Sequence, residues 1–280
     1  MSEASTPSAP TMNRRDHYIP QGYLRGFIDP AREHLPQPLW YFDKLNGVWS
    51  PRSPREIGYR FGFYDYTVAE MGAETADMAF AELERTFPKV RKELARKSFK
   101  NWKDHLDFLL RYAQMMRARS LLFFENQQKE GKNLRAFRVE GVSPDRMSVR
   151  VASMTPEPLA EPFIKNWTIT NMRNEIAKGA AWLTESNWAL RTCDSPALPF
   201  VASELPFMAY GPRADLAEAL RDPETLLFLP LCWQACLIGS RQYFDIENDR
   251  FGAEDMLRFA RMYRDSANLF VISPSRVDFR

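Results

Sequence analysis

Residues 17–27, His17-Tyr18-Ile19-Pro20-Gln21-Gly22-Tyr23-Leu24-Arg25-Gly26-Phe27, are the most informative stretch of this chain. Tyr23, Leu24 and Phe27 recur at helical spacing, and Pro20 suits the first turn of a helix, where its missing N–H costs nothing. We therefore predict a short helix with the His17 ring beside its N-terminus, close to unsatisfied N–H groups and a partial positive charge. That position suits a histidine that handles an anion and equally one that makes a structural hydrogen bond.

The composition is that of an ordinary globular protein. The chain has 280 residues, of which 45% are hydrophobic, three cysteines and a formal net charge of +2. This charge neither requires nor excludes nucleic acid or small anions as partners. Residues 1–12 are rich in Ser, Pro and Ala and are expected to form a disordered tail. No window reaches the ~18 consecutive apolar residues of a membrane span, so we expect a cytoplasmic protein without membrane contact.

Short β segments are predicted in both halves of the chain. Leu39–Phe42 and Val48-Trp49 flank Asn46-Gly47, which is a strong signal for a two-residue turn. After Trp182 the pattern predicts further short strands and then a last helix. These strands cover residues 188–192, 200–202, 226–231 and 236–240, and the helix contains Met256, Phe259 and Tyr263.

A helical block separates these β segments. Residues from Ala76 to Leu94 carry an apolar stripe of period 3.6, and Pro88 within it should kink or break the helix. A second helix should begin at a cap formed by Asp104 and end at Gly131, and a third should cover Phe163–Leu183. This order predicts an α+β fold in which a helical block packs with a small antiparallel β-sheet and hairpins, as a single domain over residues 13–280.

The opening motif resembles the signature of a bacterial domain family of unknown function, DUF4238. The resemblance covers roughly Asn13 to the C-terminus, and its later parts match the family in order and spacing. These parts are Phe63-Tyr64-Asp65, the acidic Glu82 and Glu84, Met115-Met116-Arg117, a strand with Trp188, and Pro230-Leu231. One departure concerns the family's Ser-Asp-Asn-Pro turn, which is Ser203-Glu204-Leu205-Pro206 here and so keeps a carboxylate but loses the Asn. The resemblance implies no particular reaction.

His17 is the first candidate for chemistry. Its unperturbed pKa lies near neutrality, which suits a general base or a metal ligand. The alternative is a histidine that bonds a carbonyl or carboxylate and fixes the N-terminal segment to the core. The residues leave both open.

Arg117 is the second candidate, because it falls on the predicted apolar face of its helix. An Arg at such a position must reach solvent or find a carboxylate, and Glu82, Glu84 and Glu204 are the expected partners. A structural ion pair between two helices is the favoured interpretation. The alternative is an anion-binding Arg in a pocket with His17.

The carboxylates also suggest a metal site. His17, Asp65 and Glu204, with Glu82 or Glu84, offer the mixed nitrogen and oxygen ligands that suit Mg²⁺ or Mn²⁺ in phosphodiester hydrolysis. The sequence contains no His-Glu-x-x-His motif, no phosphate-binding Gly-rich loop and no Gly-x-Ser-x-Gly elbow.

A basic run between Arg85 and Lys103 offers a further interpretation. It could follow a nucleic-acid backbone, with Phe99 and Trp102 stacking on bases. Such a run is more often a solvated helix face.

Two hypotheses follow from these candidates. In the first, the protein is a hydrolase, a metal-assisted nuclease or phosphoesterase, with His17, Glu82, Glu84 and Glu204 as base or ligands and Arg117 holding phosphate. In the second, it is a non-catalytic binding or regulatory module in which a buried His-Arg-carboxylate network fixes the fold. The two differ in whether these side chains meet in an open cleft.

Overall fold

The structure is a computed structural model that describes residues 15–64, 76–133, 135–142, 149–158, 161–178, 181–211, 222–242 and 251–279. The predicted tail, residues 1–12, and Asp65 lie outside these ranges.

Helices and antiparallel sheets alternate in blocks along the chain. The helices are α1 (Gln21–Leu24), α2 (Ala76–Arg96), α3 (Leu106–Arg119), α4 (Leu121–Asn133), α5 (Glu161–Ala177), α6 (Ala181–Thr184) and α7 (Ala253–Ser266). The strands are β1 (Arg15–His17), β2 (Leu39–Asp43), β3 (Val48–Arg52), β4 (Tyr59–Phe61), β5 (Arg135–Val142), β6 (Val149–Pro158), β7 (Asn187–Thr192), β8 (Ala202–Ser203), β9 (Met208–Tyr210), β10 (Leu226–Cys232), β11 (Ala235–Ser240) and β12 (Phe270–Ser273).

The described strands form four small antiparallel sheets. Two have four strands, in the orders β3-β2-β12-β8 and β7-β11-β10-β9, and two are ribbons, β1-β4 and β5-β6. The predicted α+β class is therefore confirmed. The predicted hairpin joins β2 to β3, but its turn covers residues 44–47 and not Asn46-Gly47 alone, because Asp43 pairs with Val48. Gly47 has a φ of +65°, a conformation that glycine adopts without steric cost.

Of the two outcomes predicted for Pro88, a kink or a break of the helix, the break is wrong. Helix α2 runs through Pro88 from Ala76 to Arg96 and buries Phe80, Phe87 and Leu94 completely. Tertiary packing of this apolar face outweighs the backbone hydrogen bond that the proline removes.

The predicted second helix is divided in two by Ser120. Its backbone is extended, with a ψ of 148°, and its hydroxyl accepts a hydrogen bond from the Phe123 N–H at 3.2 Å, as an N-cap residue does. Asp104 does not cap α3, because it lies inside a short 3₁₀ turn, Trp102–His105, that precedes the helix.

Several strands fall outside the sequence predictions, among them β1, β9, β12 and the two strands of the β5-β6 ribbon. Strand β12 pairs with β2 on one side and β8 on the other, so it lies inside its sheet. The ribbon of β5 and β6 follows α4.

The opening motif is a packing element of the main core. The side chains of Tyr23, Leu24 and Phe27 are fully buried. Gly22 faces Pro88 of α2 so closely that a Cβ atom there would lie 2.9 Å from the proline Cγ. The spacing of the motif therefore lets α1 cross α2 at close range.

Candidate functional site

The ribbon of β1 and β4 places His17 at the entrance to α1. Within it, His17 pairs with Tyr59 in antiparallel register, and their rings lie 5.7 Å apart. Four residues later α1 begins at Gln21, which turns back toward the His17 ring. The opening motif thus places the His17 ring and the Gln21 side-chain amide side by side at the start of α1.

An open cleft of about 350 Å³ lies beside this ring. It is lined by Arg15, Asp16, His17, Gln21, Gly22, Ala81, Glu84 and Arg119. The lining residues come from β1, α1, α2 and the end of α3, so four separate segments build the cleft.

The His17 ring is held in a defined orientation. Its Nε2 atom lies 3.4 Å from the side-chain nitrogen of Gln21, and the ring also hydrogen bonds to the backbone of Arg55. Because Nε2 faces the Gln21 amide nitrogen, which can only donate, we assign the bond to Arg55 to Nδ1–H, and the Nε2 lone pair accepts the long hydrogen bond from Gln21 at the wall of the cleft.

Burial lowers the pKa of His17 below its ordinary value of 6.5, and the hydrogen bond to Arg55 opposes this shift. The positive charges of Arg119 and Arg15 lower the pKa further, and Asp16 raises it. The ring is therefore neutral at neutral pH and able to accept a proton.

Arg119 is the central residue beneath the cleft. Its side chain is only 3% exposed, and its Nη1 forms an ion pair with Glu84 of α2. Its Nε donates to the Tyr64 hydroxyl at 2.9 Å, and its Nη2 donates to the backbone carbonyl of His17. One guanidinium thus ties β1, α2 and the segment after β4 to the end of α3.

Asp16 strengthens the same junction. Its side chain is buried, and its Oδ2 accepts a hydrogen bond from the Tyr64 N–H at 3.1 Å. Arg119 also lies over the Tyr64 ring, with 5.1 Å from the guanidinium carbon to the ring centroid. Charged groups at this depth are stabilised only when they are paired and hydrogen bonded.

Two of the predicted site residues, His17 and Glu84, meet in the cleft. Glu82 is exposed on α2 and does not line the cleft. Arg117 also lies away from it, because its guanidinium forms an ion pair with Glu175 of α5 and bonds the Gln114 side chain at 3.2 Å. The expected partners of Arg117, Glu82, Glu84 and Glu204, are thus replaced by Glu175.

Glu204 is committed to the backbone at another place. It is buried, and its carboxylate accepts hydrogen bonds from the N–H groups of Asn268, Leu269 and Phe270. These groups lead into β12, so Glu204 anchors the entry of that strand. Its absence from the cleft lining corrects the expectation that it meets His17.

The expected metal set of His17, Asp65 and Glu204 is therefore not assembled by the described residues. Asp65 lies outside them, and Glu204 is bound elsewhere. Within the described ranges no group of three or more His, Cys, Asp or Glu side chains is arranged to hold a metal ion.

Arg119 is the residue that sequence reasoning missed. The prediction of one unbroken helix through Ser120 puts Arg117 on its apolar face. The signal available in the sequence was Ser120, a preferred N-cap residue. If the helix ends there, Arg119 is its last residue. It lies seven residues after the buried Tyr112 and therefore on the same face of the helix.

In the predicted nucleic-acid surface, the basic run between Arg85 and Lys103, one of the two predicted stacking residues is buried. Phe99 is only 6% exposed and belongs to the main core, so its ring cannot stack on a base. Trp102 is half-buried. Within the basic run, Arg91 differs from its exposed neighbours Lys89 and Lys92, because it is half-buried and bonded to backbone carbonyls of α1.

Comparison with protein families matches the chain to the family described as "Protein of unknown function (DUF4238)", over residues 15–276. Comparisons with curated proteins and with solved structures found no match. Among the described residues, no helix has both the length and the apolar character needed to cross a bilayer.

Proposed function

The chain belongs to the DUF4238 family, whose description names no reaction, and from the geometry of its cleft we propose that it is a hydrolase of phosphate esters with His17 as general base. The observation that carries the proposal is the His17 ring itself. It is neutral, fixed by its bond to Arg55, and lines an open cleft, with its basic Nε2 beside the Gln21 amide at 3.4 Å. These are the properties that general-base catalysis requires.

In the proposed step, Nε2 of His17 takes a proton from a water molecule while the water oxygen attacks phosphorus. The bond from phosphorus to the ester oxygen breaks, and the departing alkoxide takes a proton from solvent or from the imidazolium. In this step the attacking water takes the place of the Gln21 side-chain nitrogen, which lies 3.4 Å from Nε2, as the hydrogen-bond donor to Nε2. The base contributes about 10²–10⁴-fold in such reactions.

Arg15 is the side chain proposed to bind the phosphate. It lines the cleft and is exposed, whereas Arg119 is buried and committed to three protein partners. The Arg15 guanidinium lies over the Tyr59 ring at 4.8 Å, which restricts its movement. An arginine so placed presents paired donors to phosphate oxygens.

The test is hydrolysis of bis(p-nitrophenyl) phosphate and of single-stranded DNA and RNA, with and without Mg²⁺ or Mn²⁺. These ions are included because imidazole and carboxylate are donors that they accept. His17→Gln should lower the rate by at least about 100-fold, while His34→Gln, the same change at an exposed histidine, should leave it unchanged. Circular dichroism must show both variants folded.

A second candidate function follows from the burial of Arg119. A guanidinium that is 3% exposed and bonded to three segments is what a non-catalytic module with a fold-specifying network would contain. If the wild type hydrolyses none of these substrates under any metal condition, the hydrolase proposal fails. Equal rates in the wild type and in folded His17→Gln would also exclude His17 as the base.

A further inference from the structure

A second, smaller cleft lies at the other end of α1. Its volume is about 160 Å³, and it lies where the 3₁₀ turn after α1, the later half of α2 and the β10–β11 turn meet. It is lined by Arg25, Gly26, Ile28, Pro30, Glu33, Arg91, Lys92, Ala95, Cys232, Trp233 and Gln234. Three of these residues are cationic and one is acidic.

Arg91 is the distinctive residue of this cleft. Its Nη1 donates to the backbone carbonyls of Gly22 at 3.0 Å and Tyr23 at 3.4 Å. Among the described residues, no carboxylate forms an ion pair with Arg91, and its Nε and Nη2 make no hydrogen bond. By contrast, Arg117 pairs with Glu175 and Arg119 with Glu84.

The charge of Arg91 is therefore only partly compensated. Desolvation lowers the pKa of Arg91, and the nearby positive charge of Arg25 lowers it further, although Glu33 and the buried Cys232 and Tyr112 oppose this. A partly desolvated cation without a carboxylate partner is costly unless an anion approaches it.

The protein builds this arrangement through Gly26 of the opening motif. A Cβ atom at this position would collide with the Arg91 guanidinium and lie 3.1 Å from the Leu231 carbonyl oxygen. The Gly26 carbonyl accepts a hydrogen bond from the Trp233 N–H at 3.1 Å, which ties the β10–β11 turn to the floor of the cleft. Arg91 is thus held by backbone on more than one side.

We propose that this cleft binds a small oxyanion of phosphate size, with Arg91 at its base and Arg25 and Lys92 at its rim. The free Nε and Nη2 of Arg91 form a planar pair of donors suited to two oxygens of one anion. The volume admits an inorganic phosphate or a terminal phosphate group, and it is below the 300–1,000 Å³ typical of larger ligands.

This site is distinct from the His17 cleft, because the two share no lining residue. Glu84 of the first cleft and Arg91 of the second are seven residues apart on α2, about 10 Å at 1.5 Å per residue. The oxyanion proposal therefore does not depend on hydrolysis at His17.

The test is calorimetric titration of the full chain with inorganic phosphate, against sodium chloride of equal ionic strength. We expect saturable phosphate binding and no comparable heat from chloride. The double variant Arg25→Gln/Lys92→Gln should bind phosphate at least about fivefold more weakly, since charge-assisted bonds dominate such sites. Both side chains are exposed, so this variant should fold.

Lys89→Gln is the matched control, because Lys89 is an exposed cation of α2 that does not line the cleft. Its phosphate affinity should equal that of the wild type. Arg91→Lys keeps the charge but loses the paired donors, so it should also weaken binding.

Three results would overturn the proposal. The first is absence of phosphate binding beyond the chloride control, and the second is equal weakening by Lys89→Gln and by the double variant. The third is phosphate binding that survives the double variant and disappears in Arg15→Gln. That last pattern would move the anion to the His17 cleft and leave the proposed hydrolase function intact.

Discussion

Replacing Arg119 with Met tests whether the buried guanidinium is the structural centre of the His17 cleft. Methionine is of similar length and apolar, so it fills much of the same space without donors. The change removes the bonds to the Tyr64 hydroxyl and the His17 carbonyl, and the ion pair with Glu84.

The expected loss of stability can be worked from these three contacts. A hydrogen bond from a charged donor contributes about 1.5–3 kcal/mol, and two are lost. The ion pair adds less than a buried pair would, because the Glu84 side chain is 32% exposed, and exposed pairs contribute about 0.2–1 kcal/mol. Removing the desolvation cost of the guanidinium offsets part of the sum, which gives a net loss of about 3–5 kcal/mol.

Urea unfolding measures this loss as a lower midpoint at an unchanged m-value. The control is Arg117→Met on the same helix. Its partner Glu175 keeps an ion pair with Lys178, so we expect a smaller loss of about 1–2 kcal/mol, because no carboxylate is left unpaired. If Arg119→Met costs no more than Arg117→Met, Arg119 is not the central tie that its contacts indicate.

Two further predictions concern pH and the entry of β12. The folded pKa of His17 lies below its ordinary value of 6.5, so between the two values the unfolded chain binds more protons, and stability should fall as pH falls through this window. Urea midpoints across that pH range should show this component in the wild type, and a slope unchanged in His17→Gln would contradict it. Glu204→Gln should destabilise by about 2–4 kcal/mol, because an amide offers one acceptor oxygen to three N–H groups. Glu204→Asp keeps the charge and should lose less, and a wild-type midpoint in Glu204→Gln would show that these hydrogen bonds do not carry the stability.

The fold class and several elements could be predicted because local signals and tertiary structure agree. Asn46-Gly47 gives a hairpin, and the apolar stripe of α2 gives a long helix. Pro88 shows the limit of such signals, since the local rule allowed the helix to break there and it does not. The helix continues because Phe80, Phe87 and Leu94 remain buried along one face. Sequence periodicity shows that these residues share a face, but it does not show whether their burial stabilises the helix more than the proline destabilises it.

Of the candidate site, the sequence predicted only residues that stand out by their own type and local motif. His17 stands in a distinctive motif and lines the cleft. Arg119 was not predicted, because it lies only two residues after Arg117 on the same helix. The end of α3 at Ser120 decides which of the two arginines faces the core. Long-range backbone partners were also hidden, since the N–H groups that bind Glu204 lie 64 to 66 residues further along the chain.

The two clefts have a common cause in the crossing of α1 and α2. Glu84, Pro88 and Arg91 follow one another at helical spacing on α2, so they share a face. The first pairs with Arg119 under the His17 cleft, the second packs against Gly22, and the third bonds the carbonyls at the end of α1. The glycines of the opening motif permit this contact, and the same close crossing that buries its aromatic side chains leaves one polar cleft at each end.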